Sequence, residues 1–235
     1  LVHMLQARRR FLADAAHQIR TPLAVLGTQA DYGVRQLDPE EMRRTFAGMQ
    51  ASIRGTRHLA NQMLTLARAE QAEHLLQDRQ TLDFAELVRE VAGDFALLAV
   101  HKGIDLAFDD GGRTARLSGN ATMLRAAVSN LIDNALRYTP AGGHVTLALR
   151  KDAGQLRLTV CDDGPGIAPE EREAVFKRFY RVLGNRDSEG SGLGLCIVRE
   201  IVLAHGGAVQ LSDAPGGHGL CVDLALPAEC RVVLL

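Results

Sequence analysis

The sequence predicts two units in series. The first is an α-helical hairpin that pairs with a second copy into a four-helix bundle; the second is an α/β sandwich with helices on one face of a sheet. Three observations carry this. Apolar residues recur at a seven-residue spacing through the first seventy positions. From about residue 80 the rhythm changes to short alternating strands separated by amphipathic helices. Between the two regions the stretch 70–80 (EQAEHLLQDRQ) is polar and without period, as a linker is.

In the first region Leu5, Leu12, Ile19 and Leu26 stand seven apart, and Ala16, Leu23 and Ala30 fill the alternate position. That period makes a coiled-coil-like seam. Asp38-Pro39-Glu40-Glu41 then predicts a helix restart. Asp38 suits the N-cap, Pro39 the first helical position, and the glutamates complement the positive end of the helix dipole. The second helix carries Met42, Phe46, Met49, Ile53, Thr56, Ala60, Met63 and Ala67, spaced alternately four and three. One such hairpin has too little core to stand alone, hence the expected homodimer. His17 falls off the seam, on a polar stripe with Arg10, Asp14 and Thr21, so its imidazole is expected to reach solvent. Pro22 removes one helical hydrogen bond and is expected to kink or loosen the segment just after His17.

The second region opens with a short strand near Thr81-Leu82 and a helix from Phe84 to Lys102, N-capped by Asp83 and closed by Gly103. Ile104–Phe108 and Thr114–Leu117 flank Asp109-Asp110-Gly111-Gly112 and read as a hairpin. Asn120 to Arg137 is a long amphipathic helix, followed by strands His144–Lys151 and Gln155–Asp162 around Asp152-Ala153-Gly154. A short helix over Pro169–Phe176 and a longer one over Gly192–His205 come next. Val209–Ser212 and Leu220–Leu226 close the unit as a hairpin over Pro215-Gly216-Gly217.

Composition excludes several classes. With 235 residues, 46% hydrophobic and 23% charged, at a net charge of −1, the chain lacks the basic surplus of a nucleic-acid binder. Cys161, Cys196, Cys221 and Cys230 stand far apart with no CxxC pair, so neither a structural zinc nor a disulfide framework is expected, and a reducing compartment fits. No apolar run approaches the roughly 20 residues of a membrane span, and no signal peptide is read. The chain begins at Leu1 rather than Met, and the expectation is a fragment whose N-terminal part is missing.

Three stretches of the second region carry chemistry. Asn130 and Asn134 lie four apart on one helical face, with Arg137 and Tyr138 a turn further on. Neutral amides at that spacing can ligate Mg²⁺ and hydrogen-bond phosphate oxygens. Asp162-Asp163-Gly164-Pro165-Gly166-Ile167 follows a strand directly. A carboxylate there can accept from an exocyclic amine such as that of adenine, and the glycines let backbone approach a flat ring. Gly190-Ser191-Gly192-Leu193-Gly194-Leu195 opens a helix, whose N-terminal N–H groups form an anion site. It lacks the strand frame of a dinucleotide fold and the GK[ST] ending of a P-loop. Between the second and third stretches, Phe176–Glu189 (FKRFYRVLGNRDSE) reads as a mobile lid, with Arg178, Arg181 and Arg186 as cations for phosphates.

Together these stretches resemble the transmitter region of bacterial sensor histidine kinases, and the resemblance covers nearly the whole chain. FLADAAHQIRTPL is similar to the H-box, NLIDNALRYTP to the N-box, VCDDGPGI to the G1 box, FKRFYR to the F-box and GSGLGL to the G2 box. Five boxes in order are specific where each alone is not. The resemblance implies a dimerisation and histidine-phosphotransfer domain over 1–71 and a linker over 72–79. It implies an ATP-binding domain of the Bergerat (GHKL) fold, shared with gyrase, Hsp90 and MutL, over 80–228, with a tail over 229–235. It further implies ATP with Mg²⁺ on Asn130 and Asn134, adenine read by Asp162, ring clearance at Gly164 and Gly166, and Ile167 in the same nucleotide site. Arg137, Tyr138, Arg178 and Phe179 belong to the implied nucleotide site, with Gly190, Gly192, Leu193, Gly194 and Leu195 at its phosphate end. His17 is the implied phosphoryl acceptor, and the partners implied are a response regulator, which receives the group on an aspartate, and a second copy of the chain. Thr21 matches a position implicated in dephosphorylating the regulator. Attachment to the inner membrane is implied only through the missing N-terminal part, this portion being cytoplasmic.

One position departs from the family pattern. Many members have Glu or Asp directly after the histidine; here it is Gln18, which can hydrogen-bond but cannot take a proton. Neutral imidazole is already abundant near pH 7, its ordinary pKa being about 6.5. The expectation is an active kinase that depends less on a general base. The rival readings are an ATPase of the same fold, a serine kinase of the anti-sigma type and a degenerate scaffold kinase. The ATPase needs a water-activating carboxylate where Asn130 stands, and the serine kinase lacks a helical hairpin.

Overall fold

The computed structural model describes residues 2–70, 78–112, 114–152, 154–182 and 190–228, with side chains from Ala15 onward. Arg186, Cys230, most of the expected linker and the expected tail lie outside the described residues. The chain divides into two compact units between Leu64 and Thr65.

The first unit is the hairpin, α1 (Val2–Arg35) and α2 (Pro39–Ala69). Asp38 Oδ1 accepts the Glu40 N–H at 3.0 Å, and the Met42 N–H donates to the Asp38 carbonyl at 3.0 Å, so the restart forms as its residues dictate. Small residues let the helices meet. A Cβ on Gly33 would stand 3.3 Å from Thr45 Cγ2, and one on Gly48 would stand 2.9 Å from Gln29 Nε2. Pro22 lies inside α1, which stays helical through it. Of the two apolar seams, Leu23 and Phe46 are each 54% exposed and Ile53 is 46% exposed. One hairpin therefore covers only part of its apolar surface.

The second unit begins with the last turn of α2 and holds a five-stranded sheet in the order β2-β4-β5-β7-β6 and a two-stranded pair β1-β3. Its strands are β1 (Gln80–Asp83), β2 (Asp105–Asp109), β3 (Arg116–Gly119), β4 (His144–Asp152), β5 (Gln155–Asp162), β6 (Ala208–Asp213) and β7 (Leu220–Pro227). Its helices are α3 (Phe84–Lys102), α4 (Ala121–Tyr138) and α5 (Gly194–Ala204). Asp83 Oδ1 accepts from the Ala85 N–H at 3.0 Å and Gly103 closes α3 in the left-handed region at φ 66°. Leu147, Leu149, Leu156, Leu158, Val160, Leu224 and Leu226 alternate along the sheet and are buried, as are Leu124, Val128, Leu131 and Ile132 of α4 and Ile197, Val198 and Ile201 of α5. Each such side chain contributes about 1.5–3 kcal/mol by leaving water.

Three expectations are corrected. β2 and β3 do not pair as a hairpin: β2 runs parallel to β4, and β3 pairs with β1. The turn between them does form, with Asp109 Oδ1 taking the Gly111 N–H at 2.9 Å and Asp110 Oδ1 the Gly112 N–H at 2.7 Å. Ion pairs of Asp109 with Arg150 and of Asp110 with Arg89 then hold it at the sheet edge, and the chain leaves for a different sheet. Residues 169–176 form two 3₁₀ turns, Pro169–Glu171 and Ala174–Phe176, instead of one helix. Finally, Cys161 and Cys221 are joined in a disulfide. Their separation of 60 residues hides that antiparallel β5 and β7 place them directly opposite each other.

Candidate functional site

The site of the second unit forms where α4, the end of β5 and the start of α5 converge. Asn120 starts α4, its Oδ1 accepting the Met123 N–H at 3.0 Å. With Leu124, Val128, Leu131 and Ile132 turned into the core, Asn130 and Asn134 fall together on the half-buried side. Asn130 Nδ2 donates to the Ala126 carbonyl at 2.8 Å, which turns its Oδ1 the other way. Gly194 meets both amides. A Cβ there would lie 2.9 Å from Asn134 Nδ2 and 3.5 Å from Asn130 Oδ1. The N-terminus of α5, whose first N–H groups have no helical carbonyl to donate to, is thus set beside two amide side chains.

A cleft opens next to them. Asn134 and Tyr138 line it from α4, Asp162 from the end of β5, Gly166 and Ile167 from the loop that follows, and Gly192 and Leu195 from the entry and first turn of α5. Asp162 is buried, and its Oδ1 accepts the N–H of Gly164 at 2.8 Å and that of Leu220 at 3.4 Å. Burial pushes its carboxyl above the ordinary carboxylate range, against the pull of those two N–H groups. Gly164 packs where no side chain fits: a Cβ would stand 2.8 Å from Asp162 Oδ1 and 3.0 Å from the Tyr138 carbonyl. Asp163 turns away, accepting the backbone N–H of His144 and facing its ring Nδ1, both at 2.8 Å, and these bonds hold its carboxyl below the ordinary range.

The segment after β5 returns through Phe179, which sits at φ 60°, a left-handed conformation that costs a non-glycine residue about 1–3 kcal/mol. Its N–H donates to the Gly192 carbonyl at 2.9 Å. Gly192 is itself at φ 69°, and a Cβ there would stand 2.7 Å from the Phe179 carbonyl carbon. The reversal carries Tyr180, Arg181 and Val182 into the cleft wall. Leu220 and Val222 of β7 complete it, with Val160, Pro165 and Val175. Of these, only Arg181 carried an expected role, as a lid cation, although Val160, Pro165 and Tyr180 fall within the quoted boxes. Tyr180 stands one residue beyond Phe179, and the β7 residues reach the cleft only through strand pairing.

Other expected residues stand elsewhere. Arg178 is ion-paired with Glu70 and does not line the cleft. It also lies beside Cys196, whose thiol burial pushes up to about 11. Arg137 pairs with Asp133 at 2.8 Å, a turn from Tyr138. Leu193 is fully buried in the core, and a Cβ on Gly190 would lie 3.7 Å from the Tyr138 hydroxyl. In the first unit, His17 and Thr21 are exposed and Gln18 half-buried, and the Thr21 hydroxyl faces the His17 carbonyl at 3.4 Å. The side chains of Arg10 and Asp14 lie outside the described residues. Among the described residues there is no cluster of three or more His, Cys, Asp or Glu suited to a metal, and no helix is long and apolar enough to cross a membrane.

Comparison with known proteins places both units. Residues 7–72 match the His Kinase A (phospho-acceptor) domain family, and residues 119–229 match the histidine kinase-, DNA gyrase B- and HSP90-like ATPase family. The sensor protein kinase PmrB of Pseudomonas aeruginosa is 41% identical over 95% of this chain and 46% of its own length. The signal transduction histidine-protein kinase/phosphatase MprB of Mycolicibacterium paratuberculosis is 34% identical over 93% of this chain and 42% of its own. Among solved structures, full-length ShkA in complex with AMPPNP superposes with a TM-score of 0.69 at 26% identity, over 95% of this chain and 46% of that one. The chain thus spans about half the length of the curated relatives it matches.

Proposed function

Because the chain belongs to the sensor histidine kinase family, we propose that it is a transmitter region that phosphorylates itself on His17 from ATP and passes the phosphoryl group to an aspartate of a response regulator. The observation that carries this reading is the meeting of Asn130, Asn134 and Gly194 beside a cleft walled by Asp162. Adenine enters the cleft against Ile167 and Leu220, with its exocyclic amine donating to the Asp162 carboxylate. The phosphates extend toward the N-terminus of α5, where N–H groups and the helix dipole favour negative charge.

The donor set fits Mg²⁺. Amide oxygens are hard ligands, and a site without a dedicated carboxylate cage suits an ion that is also held by phosphates and water. Asn130 and Asn134 would hold it, and when bound it neutralises charge that develops on the transferred phosphoryl group. An unprotonated His17 nitrogen attacks the γ-phosphorus in line. The new N–P bond forms as the bridging P–O bond breaks, ADP departs, and the imidazole proton leaves to solvent. The protein's share in such chemistry is positioning and charge neutralisation. Gln18 orients the ring without accepting that proton.

The exposed Leu23, Phe46 and Ile53 give a second hairpin an apolar surface to cover, consistent with a homodimeric four-helix bundle. Thr21, one turn from His17, supports dephosphorylation of the regulator as a second activity, and the relative MprB is named a kinase/phosphatase. The transmitter is read as the cytoplasmic portion of a membrane-attached sensor. Incubation with γ-labelled ATP tests the core of this. Label on the protein that resists alkali, is lost in acid and is absent in His17→Ala is the expected result. Free phosphate with no protein label would instead identify an ATPase.

A further inference from the structure

Cys161 and Cys221 occupy a particular place in the fold. They form one rung of the β5–β7 ladder, and the adjacent rung is Asp162 opposite Leu220. All four residues that flank the two cysteines in sequence, Val160, Asp162, Leu220 and Val222, line the cleft. The rung therefore ties together the two strands that build one wall of the site. The coupling is direct at Leu220, whose N–H donates to Asp162 Oδ1.

Alternation along β5 decides where the sulfurs lie. Leu156, Leu158, Val160 and Asp162 are buried on the helix side, so Cys161 falls with Gln155, Arg157 and Thr159 on the opposite face. Thr159 shares that face with Asp223 of β7, to which its hydroxyl donates at 2.6 Å. Cys221 is buried and Cys161 is half-exposed, so Cys161 is the side of the pair that a small thiolate meets from solvent. Cys196 differs: it lies buried on α5, and burial keeps its thiol protonated.

We propose that Cys161 and Cys221 are a thiol–disulfide exchange site for low-molecular-weight thiols of the glutathione class, and that the state of this pair sets the affinity of the adjacent cleft for nucleotide. An incoming thiolate attacks Cys161 Sγ, the S–S bond breaks, and Cys221 leaves as a thiolate and takes up a proton. A second thiolate then attacks the outer sulfur of the mixed disulfide, releasing the oxidised thiol pair and the Cys161 thiolate, which is protonated in turn. Two thiols become one disulfide as the protein pair gains two electrons and two protons. Oxidation runs the same steps backward with glutathione disulfide as the oxidant. In the oxidised state the covalent rung holds Leu220 against Asp162. In the reduced state two separate thiols must fit where one bonded pair sat, and the neighbouring rung loosens.

This rests on reading the cleft as an ATP site, and the test separates the two. The chain carrying Cys196→Ser and Cys230→Ser is equilibrated in glutathione buffers of stepped ratio. Alkylation and mass measurement count its thiols, and a titration with a fluorescent ATP analogue reads its affinity. The expected result is that both thiols appear together and that affinity falls about tenfold with the same midpoint, the equivalent of weakening one bond to a carboxylate. Adding Cys161→Val and Cys221→Val should fix the affinity at the reduced value in every buffer, and Cys161→Ala with Cys221→Ala serves if the valines disturb folding. Equal affinity in both redox states, a response that persists in the double variants, or no disulfide at any ratio overturns the redox site and leaves the ATP reading standing. Binding in neither state overturns both.

Discussion

His205 Nε2 accepts the backbone N–H of Asn120 at 3.0 Å, joining the C-terminal end of α5 to the residue that starts α4. Its Nδ1 lies 2.7 Å from the Ile201 carbonyl, so the ring is neutral, with its proton on Nδ1. The helix that carries Asn130 and Asn134 and the helix that carries Gly194 are thereby fastened at their far ends through one imidazole.

Burial holds the His205 ring below the ordinary imidazole range. A lowered folded-state pKa means that the unfolded chain binds the extra proton more readily. The associated stability is complete above the ordinary value of about 6.5 and is lost as pH falls from there toward the folded value. Thermal melts from pH 8 to pH 5 should show this acid slope. His205→Gln should flatten the slope while costing about 1–3 kcal/mol at pH 8. An unchanged slope would show that another group causes it.

Gly194→Ala separates binding from folding. The added methyl meets the flexible end of Asn134, which can give way, so the melting temperature should hold. Magnesium-dependent nucleotide binding should fall, because the amide must turn away. Calorimetric titration beside a thermal melt reads both, and intact binding would remove Asn134 from the proposed site.

Asp162→Asn preserves size and keeps an oxygen for the Gly164 and Leu220 N–H groups, but it loses the charged acceptor. The dissociation constant for ATP should rise roughly 10- to 100-fold, the worth of a charge-assisted bond. If the constant is unmoved, the cleft does not read adenine through this carboxylate.

At Gln18 the expectation is a gain. Gln18→Glu supplies a proton acceptor next to His17, so autophosphorylation should accelerate and its pH profile should change. Initial rates of label incorporation from pH 6 to pH 8 provide the comparison. Identical rates and profiles would mean that position 18 does not assist the imidazole.

Much of this was legible because the signals are local. Asp38 and Asp83 as caps, Gly103 as a stop, and the strand pair around Asp152 to Gly154 depend on neighbours within a few positions, and the chain folds that way at each. The expected nucleotide residues of three separate stretches meet at one cleft, as at Asn134, Asp162 and Gly192. Less legible was any strand pairing that a local turn does not set. The Asp109–Gly112 turn carries every hairpin residue, yet β2 found β4 and β3 found β1. Leu220 gave no hint of its place in the cleft, and Arg178, expected among the lid cations, turned to Glu70.

By itself the sequence determined the order of a helical hairpin and then an α/β sheet, with the length and ends of most helices. Helical and turn preferences act over three or four residues and are written where they act. Only the tertiary structure decided the parallel pairing of β2 with β4, the opposition of Cys161 and Cys221, and the place of Leu220 beside Asp162. Those contacts join positions tens of residues apart, and burial of the whole sheet face chooses among registers that local preference leaves equal.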